Sequence, residues 1–477
     1  MRLYPKQYVI SSQHKIYAEN AQIYEWQGLS IAICKDDIEK LVIGDNYVFF
    51  GETFDFENPK LLNDQVVRSI DFSLPLQSII KQINKWTGYF ILLIKLNDRF
   101  ILLNDASSQL ECYFTHDSSE INLAEQPHLL YKLLGEKYSI VSADVPLNVL
   151  SNRRNIFYKT IYQRISKLIP NHFYDFQNKQ LIRFYPFQKI EKKDTSYCIS
   201  EIIRILENTM LSLIHRKPLV SALTSGWDSR ILLACNKKNI DKIDFFTIDK
   251  IHSYSDIDVK IAKEILHRLG KRLNIFEFNK YLSNHFPQEA IFVSDYNSEI
   301  ITDNFYRPHF KDKYLINGNI SEVGRFYYRP LPKKLSPKDL AYIVKCEQDK
   351  YHLDIFKTWQ DDFAPFKKMG YDELDFLYWE HRISNWLGSL KTIYNIYTTV
   401  ISPFNNRYLL DTLFSMEKKY RDSRFPKYYK IILQKLVPEL NDIPVNPMES
   451  IQKIKISKAL RVYPITKALR LKFRKLH

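Results

Sequence analysis

The chain reads as an α/β protein in three stretches: a β-rich start, a middle in which strands and helices alternate around a parallel sheet, and a helical end. Three observations carry this reading. Short apolar runs at 41–50, 88–95 and 100–103, separated by turn residues, are strand-like. Beyond them, strand candidates at 218–223, 243–248, 273–278 and 314–316 alternate with amphipathic helices at 198–215 and 257–269, the pattern of a parallel sheet. From about residue 337 the periodicity is helical, with no further clear strand.

At 477 residues the chain exceeds what one hydrophobic core normally supports, so two or three domains are expected. A 45% hydrophobic and 14% aromatic content excludes general disorder. Only 11 glycines occur, so a glycine in a loop is informative, and Gly226 and Gly318 stand out. The five cysteines are scattered, without the paired spacing of a zinc site or disulfide framework, and are expected to be reduced, mostly buried thiols. No signal-peptide core and no apolar stretch of membrane-spanning length occurs, so a cytoplasmic location is expected. The net charge of +15 is uneven: nine Lys and Arg follow Glu449 without an acid between them. That tail has the pattern of a basic amphipathic helix, either solvated or self-packed, or docking to an anionic surface such as a membrane, nucleic acid or protein.

The segment TSGWDS, residues 224–229, falls between a predicted buried strand and a predicted helix beginning near Ser229. Strand, tight loop and helix is the order in which α/β proteins place a phosphate site. Small residues let backbone approach a ligand, and the outward amides of a helix start favour an anion. Thr224 and Ser229 add hydroxyls, Ser225, Gly226 and Trp227 complete the turn, and Asp228 suits a bridging Mg²⁺ better than a phosphate. An ordinary βα turn with a capping Asp or Ser is the alternative.

In this loop the sequence resembles the asparagine synthetase family, whose pyrophosphatase loop reads Ser-Gly-Gly-x-Asp-Ser. Gly226, Asp228 and Ser229 match, with Thr224 and Ser225 standing for the Ser and first Gly. Further similarities follow the family's order. Asp258 precedes a helix as in the second-strand loop; GNISEV (318–323) resembles Gly-Glu-Gly-Ala-Asp-Glu; PFNNRYLLD (403–411) resembles a helical landmark. In the first part, FILLNDASSQLECYF and ISKLIPNHFYDF resemble two glutaminase-domain segments. The resemblance implies an N-terminal Ntn-hydrolase-like αββα domain over 1–188, then an adenine-nucleotide α-hydrolase-like synthetase domain over 189–477. It implies ATP and Mg²⁺ as cofactors, Thr224, Ser225, Gly226, Trp227, Asp228, Ser229 and Gly318 at the nucleotide, and Asp228 and Glu322 at the metal.

The departures matter as much. The family's glutaminase uses a cysteine exposed by removal of Met1, but position 2 is Arg2 and the nearest cysteine is Cys34, so glutamine hydrolysis is not expected. This resembles the β-lactam synthetases and lasso-peptide cyclases, which use an amine already present in the substrate. Asn319 stands where synthetases carry Glu and cannot act as a base; Glu380 is the candidate replacement, against a surface or Arg382-paired role. The family's lysine after the helical region is missing: the corresponding stretch IPVNPMES is followed by no lysine until Lys453, and Lys427 and Lys430 are weak substitutes nearby. The expectation is an ATP-dependent amide ligase that adenylates a carboxylate, releases pyrophosphate and passes the acyl group to an amine. A weakened nucleotide-binding scaffold of the same fold, or an enzyme acting on tRNA, are the alternatives.

Overall fold

Strand Leu29–Cys34 is buried at every position, because both of its faces are covered. Ile31 and Ile33 join one apolar core, while Ala32 and Cys34 join a second with Leu129 and Leu130 of helix Pro127–Leu134. Period-two alternation, a weak signal in a run that is apolar except for Ser30, here sorts side chains between a facing sheet and a covering helix. The computed structural model describes residues 1–13, 15–116, 120–145, 155–250, 255–278, 303–328, 334–395, 397–422 and 425–447. The basic tail, with Lys453, lies outside the described residues.

The first 185 residues form two antiparallel six-stranded sheets. One runs in the order Ile165–Lys167, Tyr113–Thr115, Asn122–Ala124, Tyr8–Ser11, Leu29–Cys34, Ala21–Trp26. The other runs Gln180–Arg183, His172–Asp175, Arg99–Asn104, Trp86–Leu96, Tyr47–Asp55, Leu41–Ile43. They pack face to face through edge-on contacts such as Tyr8 on Phe50, 5.4 Å between centroids, and Trp26 on Phe100, 5.9 Å.

The remainder is built on a five-stranded, all-parallel sheet ordered Asn274–Glu277, Ile243–Asp249, Leu219–Ala222, Tyr314–Ile316, Thr399–Ile401. The helix expected at 198–215 spans Thr195–Arg216, started by Asp194, whose Oδ1 accepts from the amides of Ser196 at 2.8 Å and Tyr197 at 3.3 Å. The helix after the 224–229 loop begins at Trp227, two residues earlier than expected, because extended Gly226 is its N-cap. Thr399–Ile401 corrects the expectation of no further strand. Three residues are too short to show alternation, and the parallel pairing with Tyr314–Ile316 defines them as a strand.

The chain begins this sheet at its centre, builds outward to one side, then returns to build the other. The strand order therefore reverses between Leu219–Ala222 and Tyr314–Ile316. Loops leaving two such strands part in opposite directions and leave a crevice at their carboxyl ends, where open α/β sheets bind ligands. Both sequence-predicted segments, 224–229 and 318–323, follow these two strands.

Buried polar contacts join the first part to the second. Tyr314 donates to Glu52 Oε1 at 2.6 Å, Trp379 Nε1 to the Ala106 carbonyl at 2.8 Å, and Lys6 Nζ to the carbonyls of Asn395 and Thr398, both at 2.9 Å. Within the first part Lys167 and Glu111 pair at 2.6 Å with both side chains fully buried. Nearby Glu125 is pushed up to about 8 by burial and then by the Glu111 charge, from the ordinary 4.5 it regains on unfolding. The fold thus holds an extra proton between those values. That contribution to stability is complete below about 4.5 and lost as pH rises through about 8. Denaturant unfolding at a series of pH values should show the wild-type free energy falling across this window, with a flatter profile for Glu125→Gln.

Candidate functional site

The central strand ends at Ala222, and the chain turns through 224–229 into helix Trp227–Cys235. The loop is fastened from inside. Thr224 N donates to Ser229 Oγ at 3.2 Å, the two hydroxyl oxygens lie 3.2 Å apart, and Gly226 N donates to Thr224 Oγ1 at 3.2 Å. The hydroxyls expected to meet a ligand thus engage each other in this structure. Ser225 N donates to Asp258 Oδ1 at 2.8 Å, which gives Asp258 a role in shaping the turn. From behind, the Ser225 carbonyl accepts from Asn446 N at 3.1 Å and from the buried guanidinium of Arg230 at 3.2 Å, which also binds the Ile443 carbonyl at 2.9 Å. A loop held at both carbonyl and amide presents a fixed helix start, the requirement for an anion cradle. Trp227 is half-buried, its ring 6.5 Å from that of Tyr429 on helix Lys427–Leu436.

The second loop lies directly against the first. A Cβ on Gly318 would stand 2.5 Å from Asp228 Cβ and 2.9 Å from its carbonyl carbon, so only glycine permits this approach. Gly318→Ala should force the loops apart, at a cost of about 1–3 kcal/mol typical of overpacking. Weakened binding of an ATP analogue, measured by calorimetry beside the melting temperature, is the expected result. Asn319, half-buried, donates its backbone amide to Asn317 Oδ1 at 3.2 Å, and its carbonyl accepts from Ser402 Oγ.

After Asn319 the backbone enters the left-handed region at Ile320, φ 77°, makes one tight turn over Ser321–Arg325, and leaves through Phe326, φ 52°. A buried β-branched residue in that region is strained by about 1–3 kcal/mol. The turn it permits brings two side chains to Asp228 and a third, Glu322, to Arg325. Ser321 Oγ donates to Asp228 Oδ1 at 2.6 Å; Arg325 Nη2 donates to Asp228 Oδ2 at 2.8 Å and lies 3.6 Å from Glu322 Oε1. Glu322 Oε2 is buried without a hydrogen-bond partner. Burial, and after it the charge of Asp228, push the Glu322 carboxyl up to about 7 against the pull of Arg325. The structure thus brings Asp228 and Glu322 together and adds Arg325, which the sequence reading missed; its spacing from Glu322, three residues along one turn, is the one signal present. Two carboxylates with an orphaned oxygen fit a divalent cation in charge and donor type, although among the described residues no three of His, Cys, Asp and Glu gather at one point.

Other candidates stand elsewhere. Glu380 is completely buried: Arg183 grips both its oxygens at 2.5 and 2.8 Å, Asn171 donates to Oε1 at 2.9 Å and Trp359 to Oε2 at 2.8 Å. Its neighbours Tyr378 and Arg382, on the same helix Tyr378–Leu387, are the ones whose fields couple to Glu322. Glu380, the residue named as candidate base from the sequence, is held in a clamp that joins the two halves of the chain. Lys427 and Lys430 lie exposed, while the buried Tyr428 and Tyr429 of the same helix face Arg325 and Asp228. Cys34 is buried and its thiol is pushed up to about 11 by desolvation, so it offers no thiolate at neutral pH. All five cysteines are free, as expected, and four are buried. No helix of the described residues is long and apolar enough to cross a membrane.

Comparison with known proteins finds no matching family model and no matching curated protein. Among solved structures, the chain is similar to an NH3-dependent NAD synthetase from Campylobacter jejuni in complex with nitrate, at 14% identity over 38% of this chain and 79% of that one, with a TM-score of 0.20. It is similar to a glutamine phosphoribosylpyrophosphate amidotransferase from B. subtilis complexed with ADP and GMP, at 8% identity over 67% and 70%, TM-score 0.24. A third, the allosteric regulatory enzyme of purine biosynthesis, shares 8% identity over 57% and 75%, TM-score 0.23. Likenesses this slight leave the site to be read from its own geometry.

Proposed function

We propose that the chain is an ATP-dependent amide ligase of the asparagine synthetase type, with an Ntn-like first domain over 1–188 and a nucleotide-binding synthetase domain over 189–477. The observation that carries it is the meeting of the 224–229 and 318–323 segments at the reversal of the parallel sheet, with Asp228 and Glu322 both against the Arg325 guanidinium. Ile320 adds support: it adopts φ 77° where the family segment has its second glycine, the residue suited to that conformation.

In this reading the start of helix Trp227–Cys235 receives the pyrophosphate portion of ATP, a substrate carboxylate attacks the α-phosphate and expels pyrophosphate to leave an acyl-adenylate, and an amine then displaces AMP from it. Asp228 and Glu322 would hold Mg²⁺, which supplies neutralisation of phosphate charge. Asn319 positions the amine through its amide rather than taking its proton. The substrate carries a carboxylate and an amine, and the reaction proceeds without glutamine hydrolysis in a cytoplasmic setting. The basic tail is proposed to dock to an anionic surface. Purified protein with ATP, Mg²⁺ and a carboxylate pool should release pyrophosphate and AMP in equal amounts; absence of both from every pool would falsify the ligase assignment. The clamping of Glu380 favours a second reading, a nucleotide-binding scaffold that has lost turnover, which predicts analogue binding without pyrophosphate.

A further inference from the structure

Two partly buried carboxylates and a guanidinium meet where the two loops touch, and the guanidinium is seated where a shared metal ion would be attracted. Arg325 reaches Asp228 Oδ2 at 2.8 Å and stands 3.6 Å from Glu322 Oε1, with its guanidinium carbon 6.0 Å from the Tyr429 ring. Its side chain is only 10% exposed. Ser321 Oγ takes the other Asp228 oxygen at 2.6 Å. The strained turn bounded by Ile320 and Phe326 places Glu322 and Arg325 on the same side, three residues apart.

We propose that Arg325 is the resident counter-ion of Asp228 and Glu322, closing their cation site until a metal-bound triphosphate arrives and takes the guanidinium onto its phosphate oxygens. This rests on the nucleotide reading above. A guanidinium and a divalent cation compete for the same carboxylate oxygens, and a bare metal ion offers the displaced arginine no new anion in a largely buried pocket. A triphosphate does, in the forked geometry arginine prefers. Metal and nucleotide therefore bind together, each weakly alone, and the requirement is reciprocal.

The test is titration of the full chain with Mn²⁺, following the free-ion paramagnetic resonance signal, with and without α,β-methylene-ATP. Arg325→Gln should bind Mn²⁺ without the analogue at least about tenfold more tightly than wild type, since a charge at contact distance is removed from both ligands. Adding Asp228→Asn to that variant should abolish the gain. With the analogue, wild type should approach the affinity of the variant. Where Arg325→Gln does not fold, Arg325→Lys, a cation without the fork to span both carboxylates, should show an intermediate gain. Equal Mn²⁺ affinities of wild type and variant, with the analogue bound to both, overturn the role of Arg325 and leave the nucleotide reading standing. An analogue that binds neither protein removes the nucleotide reading, and the opening step with it.

Discussion

Asp228→Asn is expected to lower ATP-dependent pyrophosphate release by at least about 100-fold, the scale of losing a group that stabilises transition-state charge. The substitution is nearly isosteric and can still accept from Ser321 Oγ, so the loop keeps its shape while Arg325 loses its nearer carboxylate. With Asp228 only partly buried, at 24% side-chain exposure, solvent screens the lost pair and the stability cost should stay within about 2 kcal/mol. The signature is a large kinetic loss with a small shift in melting temperature. Unchanged release in a folded Asp228→Asn protein would remove the crevice from the chemistry altogether.

Arg183→Met should have the largest effect on stability, about 3–5 kcal/mol, because it strands a buried carboxylate without its counter-charge. Arg183 and Glu380 are 2% and 0% exposed, and the pair spans strand Gln180–Arg183 and helix Tyr378–Leu387. Asn171 and Trp359 would remain as hydrogen-bond donors to Glu380, but neither carries charge. Glu380→Gln should cost less, since Arg183 keeps Asp362 at 2.6 Å. The double substitution should recover part of the Arg183→Met loss, a coupling readable by equilibrium unfolding. The same variants decide between clamp and catalysis: a general base at Glu380 would make Glu380→Gln slow the reaction without touching stability, the reverse of what the geometry leads us to expect.

Local pattern made the 224–229 loop and its partner at 318–323 legible, because tight strand–helix turns need small residues and because Gly318 is one of very few glycines. Strands and helices of the parallel sheet were legible from apolar runs and helical periodicity, down to errors of a few residues at their ends. Thr399–Ile401 was not, since its three residues acquire strand character only beside Tyr314–Ile316, far away in the chain. The clamp around Glu380 was not legible either, because its neighbours in sequence say nothing of Arg183, Asn171 and Trp359, which approach from other elements.

Residue order alone thus determined where the chain alternates, where it turns, and which carboxylates were available, since these depend on periodicities of two and 3.6 residues and on backbone freedom at single positions. Tertiary structure decided which acids meet. Asp228 and Glu322 are joined through Arg325, and Glu380 is withdrawn into a clamp, because charge pairing acts through space between segments that no local pattern relates.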